Sequence, residues 1–397
     1  MAHPAAPEIR TETMVLNMGP QHPSTHGVLR LVLELDGETI IRCVPHIGYL
    51  HTGFENTFED KTFHQVIPIT DRMDYLAPLS NNLAYCLAVE KLLGLEVPER
   101  AQYLRVILVE LQRIASHLVW LGTHGLDLGA VTPFWHTFRE RDMILDLFEG
   151  ISGVRMMTSH IRIGGLALDI LPGWADQLRE FLRIFPKRVD DYEGLLTRNR
   201  IWVQRTQGIG VLSAADAIAL GVSGPVLRAS GVAHDLRKAE PYCGYERFDF
   251  EVPVGQNGDV YDRYRVRLAE MRQSHRIITQ ALEGLPEGDF KIRDWRYTLP
   301  TRQEIKTSME ALIFHFKFVS EGFSAPVGEV YRPIEGPKGE IGFYIVSDGG
   351  RKPWRCRVRP PSFVNLQALP KIAEGRLIAD LVAMIGSIDI VLGEVDR

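Results

Sequence analysis

The stretch AQYLRVILVELQRIASHLVWL, residues 101–121, decides the fold class of this chain. Its apolar residues recur every three or four positions, which is the spacing of one face of an α-helix. LAYCLAVEKLLG, residues 83–94, has the same spacing and ends on Gly94, a residue type that favours a helix C-terminus. The chain is therefore predicted to have a helical middle, with a short helix at 55–64 and further helices after Pro133 and over 173–197, 259–283 and 303–318.

Strand-forming segments flank these helices on both sides. VLRLVLEL, residues 28–35, leads through the turn dipeptide Asp36-Gly37 to ETIIRCV, which predicts a hairpin. Residues 328–350 predict a second hairpin around the turn 336–339, followed by a strand near 354–360. The predicted fold class is α+β, a central helical bundle flanked by β-rich N- and C-terminal segments, with divisions at 1–70, 71–320 and 321–397.

The composition of the 397 residues is that of an ordinary globular chain, 45% apolar and 24% charged. A formal net charge of −5 argues against a general nucleic-acid binder. The four cysteines lie far apart without a C-x-x-C pair, so no disulfide framework, zinc ribbon or iron–sulfur site of its own is expected. Charged residues interrupt the most apolar late stretch, 377–393, so membrane association is expected only through partner proteins.

Histidines cluster near the N-terminus, where six of the thirteen fall within the first 64 residues. His22 and His26 lie in GPQHPSTHG, residues 19–27, a loop that two prolines and two glycines keep out of regular structure. A metal site would need further ligands at defined geometry, and histidines with a structural role are the commonest case. The sharper alternative is a histidine that contacts a ligand beside Gly27, where the backbone can approach closely.

Three other side chains have both a structural and a ligand-binding interpretation. In TDRMDYLAP, residues 70–78, Asp74 can cap the following helix, and Tyr75 can be a core residue or donate a hydrogen bond to a ligand carbonyl. In THGLDLGAVTP, residues 123–133, Asp127 can cap the next helix or fix the tautomer of a histidine. The sequence by itself does not place Asp127 beside His26.

Longer strings extend these observations to a family. LNMGPQHPSTHGVLRL, PHIGYLHTGFE, DRMDYLAPL, IRIGG, SDGG, PSFVNLQALP and the terminal GEVDR together resemble the D subunit of bacterial NADH-quinone oxidoreductase, the homologue of the 49 kDa subunit of mitochondrial complex I. The resemblance runs from about residue 11 to residue 397. That family is related to the large subunit of [NiFe] hydrogenases, so the resemblance implies a fold of that kind.

The resemblance also makes a statement about metal. The four positions that align with hydrogenase thiolate ligands carry no cysteine here; they are Asp74, Ala77, Val391 and Glu394. Nickel and iron sites of that class need soft thiolates, so no metal is expected. In the family, the vacated cavity becomes the pocket for a quinone headgroup.

Residue by residue, the resemblance implies that His26 and Tyr75 bind the quinone headgroup. Asp127 is implied as the partner of His26, expected to hold its tautomer and to raise its pKa. Val391 and Asp396 match positions associated with the quinone cavity. A tyrosine hydroxyl and an imidazolium suit this role, because each can donate a hydrogen bond to a carbonyl oxygen and supply a proton.

The resemblance places the chain in a proton-pumping complex that reduces quinone with electrons from a [4Fe–4S] cluster held by a partner. Arg72 matches a position close to that cluster. The expected neighbours are the B and C subunits, and the membrane-embedded A and H subunits at the quinone channel, on the cytoplasmic face of the bacterial plasma membrane. Many members of that family have an arginine and a histidine at the positions where this chain has Thr52 and Met157. In the family the histidine is thought to couple reduction of the cluster to protonation, so the reduction potential of the partner's cluster is expected to depend only weakly on pH. A metal-free scaffold subunit and a [NiFe] hydrogenase large subunit remain as alternatives.

Overall fold

The structure, a computed structural model, describes residues 13–22 and 26–397. Near the N-terminus three antiparallel strands form a sheet in the order β1 (Met14–Met18), β2 (Arg30–Asp36) and β3 (Thr39–His46). Leu31, Leu33 and Leu35 are buried on one face of β2, because alternate residues of a strand point to the same side. The predicted N-terminal hairpin is therefore confirmed.

Helices form the middle of the chain, and two predicted helices are each divided in the structure. The predicted helix at 55–64 is interrupted because Thr62 is extended and opens a capping box with Gln65. The predicted helix over 303–318 is interrupted because Ser308 is extended and its side chain accepts a hydrogen bond from the Ala311 amide. The helices are α1 (Phe54–Asp60), α2 (Phe63–Thr70), α3 (Pro78–Leu93), α4 (Glu99–Asp127), α5 (Val131–Ser152), α6 (Trp174–Leu196), α7 (Arg200–Thr206), α8 (Ala214–Ala219), α9 (Pro225–Ala229), α10 (Leu236–Ala239), α11 (Val260–Glu283), α12 (Arg302–Thr307) and α13 (Met309–Ser320), with the short strands β4 (Ile161–Arg162) and β5 (Gly165–Leu166) between α5 and α6.

Helix α4 is the axis of the molecule and packs against α5 and α11. Every residue from 104 to 122 is buried, so the helix is covered on all sides and not only along its apolar stripe. Its polar positions carry buried partners: Arg105 pairs with Glu90 at 2.6 Å, and Glu110 accepts from Arg113 at 3.2 Å. A charge inside a protein is tolerated only when it is paired in this way.

The C-terminal part contains a second antiparallel sheet and four short helices. The strands are β6 (Gly328–Gly336), β7 (Gly339–Ser347) and β8 (Arg355–Arg359), which confirms the second predicted hairpin. The helices are α14 (Pro361–Leu366), α15 (Ala368–Ala373), α16 (Ile378–Ile388) and α17 (Leu392–Asp396). The tip of the β6–β7 hairpin is buried. It lies against α4, where Arg113 donates hydrogen bonds to the carbonyls of Gly336 and Glu335 at 2.9 and 2.6 Å.

Two hydrophobic cores hold these parts together. One joins helices α1 to α6 and α11 with the C-terminal sheet, and the other joins the N-terminal sheet with helices α14 to α17. Each core contains residues from all three predicted parts of the chain, 1–70, 71–320 and 321–397. The division into these three parts stays a prediction. The mixed helix-and-sheet architecture confirms the predicted α+β class. Among the described residues, no helix combines the length and apolarity needed to cross a membrane.

A chain of ion pairs runs through the interior beside α4 and α11. Arg228 contacts Glu270 at 2.6 Å and Glu335 at 2.7 Å, and Arg237 contacts Glu110 at 3.1 Å. All of these side chains are almost fully buried. Removing one partner would leave an uncompensated buried charge, which costs about 3–5 kcal/mol, so this network fixes the geometry around the site described next.

Candidate functional site

The centre of the candidate site is a lysine at the tip of a hairpin. Lys338 is only 1% exposed, and its Nζ lies 3.0 Å from Asp74 Oδ2 and 3.1 Å from Ser116 Oγ. Desolvation of the ammonium lowers its pKa, but the nearby carboxylates, Asp389 and Asp74 first, outweigh this effect and raise the pKa of Lys338 above its ordinary value. The site is therefore a buried cation surrounded by carboxyl groups.

Two of the four positions that the resemblance aligned with thiolate ligands, Asp74 and Glu394, act on this cation. Asp74 and Ala77 lie in the turn before α3, and Val391 and Glu394 lie at the start of α17. The two segments touch, because a Cβ added to Gly393 would lie 2.7 Å from the carbonyl oxygen of Met73. Segments more than 300 residues apart in sequence thus contribute side chains to one centre.

The environment of Glu394 favours the protonated form of its carboxyl group. Burial is the main cause and the neighbouring Asp74 the second, and together they raise the pKa of Glu394 to about 8. The Ser362 hydroxyl donates to Glu394 and accepts from the amide of Val391 at 3.3 Å. A neutral carboxyl beside an ionised one keeps this crowded centre from accumulating negative charge.

His26 lies at the edge of the N-terminal loop with a left-handed backbone, φ 52°. Its Nε2 is buried and has no hydrogen-bond partner among the described residues. Burial first, and the Lys338 charge second, lower the pKa of His26 to about 4. The net pKa of His26 is thus lowered and not raised, because desolvation and a nearby cation both disfavour the imidazolium, while the expected contribution of Asp127 stays a prediction.

Tyr75 lies in the turn before α3 and is half-buried. Its hydroxyl makes no hydrogen bond to any described residue. Burial and the charge of Asp74 raise the pKa of Tyr75, while Lys338 acts in the opposite direction. Tyr75 and His26 are therefore two neutral donors, both close enough to Lys338 to feel its charge.

Asp127 is the last residue of α4, so it does not cap the next helix, whose N-cap is Ala130. It is half-buried, and desolvation raises its pKa to about 6. No hydrogen bond joins Asp127 to His26 in the described part of the chain. The structure does bring the two regions together, because His124, one turn earlier on α4, lies close enough to His26 for their protonated forms to repel each other.

The three remaining predicted residues, Val391, Asp396 and Arg72, lie in different surroundings. Val391 is buried at the N-terminus of α17. The Asp396 carboxylate accepts hydrogen bonds from the amides of Gly48 at 2.8 Å and Leu50 at 2.6 Å, so it holds the segment between β3 and α1. Arg72 is exposed and donates to the carbonyl of Pro68, which leaves its guanidinium at the surface.

Lys338 is the residue that the sequence analysis missed, since residues 336–339 were interpreted only as a turn. A lysine at a hairpin turn is normally solvated. The available signal is the glycine on each side of Pro337-Lys338. Gly339 has φ 136°, and a Cβ there would lie 2.5 Å from Ser223 Oγ. A glycine is therefore needed at this position, because the turn packs against the interior of the protein.

Other candidate sites do not include the predicted residues. A cavity of about 260 Å³ lies between α2, the β4–β5 turn and α13, lined by His64, Arg162, Lys291 and apolar side chains. Within the described ranges, no group of three or more His, Cys, Asp and Glu side chains has the arrangement to hold a metal ion. All four cysteines are unpaired, and three of them are buried.

The fold and the site define an α+β chain with a buried ammonium, Lys338, held between the turn before α3 and helix α4. The family model "Respiratory-chain NADH dehydrogenase, 49 Kd subunit" matches residues 127–397. A D subunit of NADH-quinone oxidoreductase from Solibacter usitatus is 61% identical over 384 residues, 97% of this chain and 94% of the relative. The D subunit of Geotalea uraniireducens is 60% identical over 387 residues, 98% and 99% of the two chains, and a D subunit of Chloroflexus aurantiacus is 61% identical over 391 residues, 98% and 95%. The chain belongs to this 49 kDa subunit family, which confirms the resemblance found in the sequence.

Proposed function

We propose that this chain is the quinone-site subunit in the peripheral arm of a proton-pumping NADH:quinone oxidoreductase, active only within the assembled complex. Relatives 60–61% identical are named as D subunits of NADH-quinone oxidoreductase. One observation carries the proposal: His26 Nε2 is buried near the cation without a partner among the described residues, and the half-buried Tyr75 hydroxyl near the same cation also has none. A buried polar atom such as His26 Nε2 is rarely without a partner unless a ligand or a water completes it.

The chemistry of quinone reduction suits these two donors. A quinone becomes a quinol when its two carbonyl oxygens take up two electrons and two protons. In the proposed complex Tyr75 donates a hydrogen bond to one oxygen and His26 to the other. Reduction makes both oxygens basic, and their negative charge raises the pKa of His26, so the imidazole can take up a proton and deliver it. Asp127 is assigned as the carboxyl that accompanies His26 in this exchange.

The electrons come, in this proposal, from a [4Fe–4S] cluster held by a partner subunit. Arg72 is assigned to the side that faces the cluster, and its exposure agrees with a place at an interface. A positive charge there favours the reduced cluster. Val391 and Asp396 are assigned to the wall of the quinone cavity, Val391 through its side chain and Asp396 through the segment that it holds.

The assignment to a complex also gives the partners and the location. The B and C subunits and other peripheral-arm subunits, and the membrane-embedded A and H subunits at the quinone channel, are the proposed neighbours. The chain would then lie at the cytoplasmic face of the bacterial plasma membrane as a peripheral component. Quinone is its substrate, and no metal or nucleotide of its own is assigned.

Two alternatives make different predictions. A [NiFe] hydrogenase large subunit would need thiolates at the four aligned positions, and Asp74, Ala77, Val391 and Glu394 supply no sulfur. A structural scaffold would need neither donor. In an assembled complex, His26→Ala and Tyr75→Phe separate the scaffold from the quinone site. His234→Ala and Tyr344→Phe, whose side chains lie at the surface, are the controls.

The expected result is that both site variants assemble and lose quinone reductase turnover, by about 100-fold for His26→Ala. The two control variants should keep the turnover of the parent chain. Reduction of a water-soluble artificial acceptor reports assembly and electron input separately from quinone chemistry. Full quinone turnover in both site variants would establish the scaffold interpretation instead.

A further inference from the structure

The β6–β7 hairpin does not require a lysine at position 338 in order to form its turn. A two-residue turn between Gly336 and Gly339 accepts many residues, and most of them would be easier to bury than a lysine. Desolvating an ammonium costs several kcal/mol, and replacing a buried ion pair by apolar side chains is often neutral or stabilising. Packing alone therefore gives no reason for a lysine at this position.

The hairpin tip is nevertheless held so that the ammonium is fixed. The Asn365 side-chain amide donates to the carbonyl of Lys338 at 3.0 Å, and the Gly339 backbone packs against Ser223. Two of the three ammonium N–H donors are used by Asp74 and Ser116. The third has no partner among the described residues, so it can face a ligand or a water.

The same cation acts on both proposed headgroup ligands. Its charge lowers the pKa of His26 and works against the rise in the pKa of Tyr75. A field that disfavours an imidazolium and favours a phenolate also favours negative charge on a ligand oxygen between them. Asp74, Asp389 and Glu394 are the carboxyl groups that face Lys338, and they set the net field.

We propose that Lys338 is a positioning residue of the quinone site, which orients the Asp74–Tyr75 turn and supplies the positive charge that stabilises the reduced ring oxygens. This proposal rests on the proposed function. A fixed cation of this kind takes the electrostatic part that a bound metal ion has in a metal site. Both electrons still come from the partner's cluster, and each ring oxygen ends with one proton, so Lys338 remains an ammonium throughout.

The test uses the assembled complex with four forms of this chain. Lys338→Met removes the charge, Lys338→Arg keeps it, and Asp74→Asn with Lys338→Met removes the ion pair as a unit. Lys291→Met is the matched control, because Lys291 is a half-buried lysine bound to a carbonyl at 2.7 Å, away from the site. Each form is assayed for kcat and KM with a short-chain quinone, for artificial-acceptor reduction, and for the pH profile of turnover.

Lys338→Met should lower kcat by about 100-fold with little change in KM, while artificial-acceptor reduction and the Lys291→Met control stay unchanged. Losing the cation lets the pKa of His26 rise from about 4, although burial, the larger cause, remains, so the turnover of Lys338→Met should titrate at a higher pH than that of the parent chain. Lys338→Arg should keep the parent pH profile. A lysine that served only the fold would leave that profile unchanged.

Three outcomes would overturn the proposal. If Lys338→Met keeps kcat close to the parent value while His26→Ala and Tyr75→Phe lose turnover, the quinone site stands and the role of Lys338 is refuted. If the double variant with Asp74→Asn recovers full turnover, Lys338 is only an ion-pair partner. If neither His26→Ala nor Tyr75→Phe affects turnover, the proposed function fails, and the role of Lys338 fails with it.

Discussion

Two possible roles of Asp396, holding residues 48–50 in place and contacting the ligand, can be distinguished by experiment. Its two carboxylate oxygens accept from the amides of Gly48 and Leu50 at 2.8 and 2.6 Å. Hydrogen bonds to a charged group contribute about 1.5–3 kcal/mol each, so Asp396→Ala should cost at least about 3 kcal/mol of local stability. Since about 1.4 kcal/mol corresponds to a factor of ten, local opening of residues 48–50 should become roughly 100-fold more frequent.

Hydrogen exchange of the assembled complex, followed on peptides covering residues 46–52, measures this opening directly. Asp396→Asn keeps one acceptor oxygen and should fall between the parent and Asp396→Ala. Asp380→Ala, elsewhere in the same C-terminal part, serves as the control and should leave these amides protected. If Asp396→Ala lowers quinone turnover while exchange at residues 48–50 stays at the parent rate, Asp396 acts on the ligand itself and the reasoning is refuted.

Three further predictions concern stability. Burial raises the pKa of Glu394 from 4.5 to about 8, so the folded chain binds this proton more tightly than the unfolded chain does. The resulting stabilisation is complete at low pH and is lost as the pH rises from about 4.5 through 8. Glu394→Gln should therefore flatten the pH dependence of the thermal unfolding temperature in that window. Arg228→Met should cost about 3–5 kcal/mol and lower the yield of assembled complex, whereas the exposed Arg296→Met should have almost no effect on either. Gly386→Ala should lower the melting temperature, because its Cβ would overlap a ring nitrogen of the buried His124, whereas Gly194→Ala meets open space within α6 and should raise stability by about 0.5–1 kcal/mol.

The parts of the fold that the sequence predicted are those with a local cause. The helical spacing of residues 101–121 and the stop at Gly94 correspond to α4 and to the end of α3, where Gly94 has φ 65°. The turn at Asp36-Gly37 and the alternation on β2 specify the N-terminal hairpin. In each case the deciding interaction lies within a few residues, so a single sequence contains it.

The parts that could not be predicted depend on neighbours distant in sequence. The stripe on α4 indicates one buried face, yet the other faces are buried too, because Arg105 and Glu110 find partners on distant segments. The burial of Lys338 requires the hairpin, α4 and the turn before α3 to come together. The lowered pKa of His26 follows from its burial and from that lysine, so its direction could not be obtained before the surrounding chain was placed.

The charges at the site favour the proposed binding of an uncharged ring over the binding of a metal ion. Asp74 and Lys338 form an ion pair of zero net charge, and burial raises the pKa of Glu394, which favours its neutral form. Asp389 faces both Lys338 and Arg267, whose charges offset its own. A dication placed here would meet a cation already in position and a carboxyl group whose raised pKa favours the bound proton, whereas the carbonyl of the proposed quinone would meet two uncharged donors and the ammonium of Lys338. In the proposed reaction, the negative charge that develops on the ring oxygens is therefore the charge that the ammonium of Lys338 would stabilise.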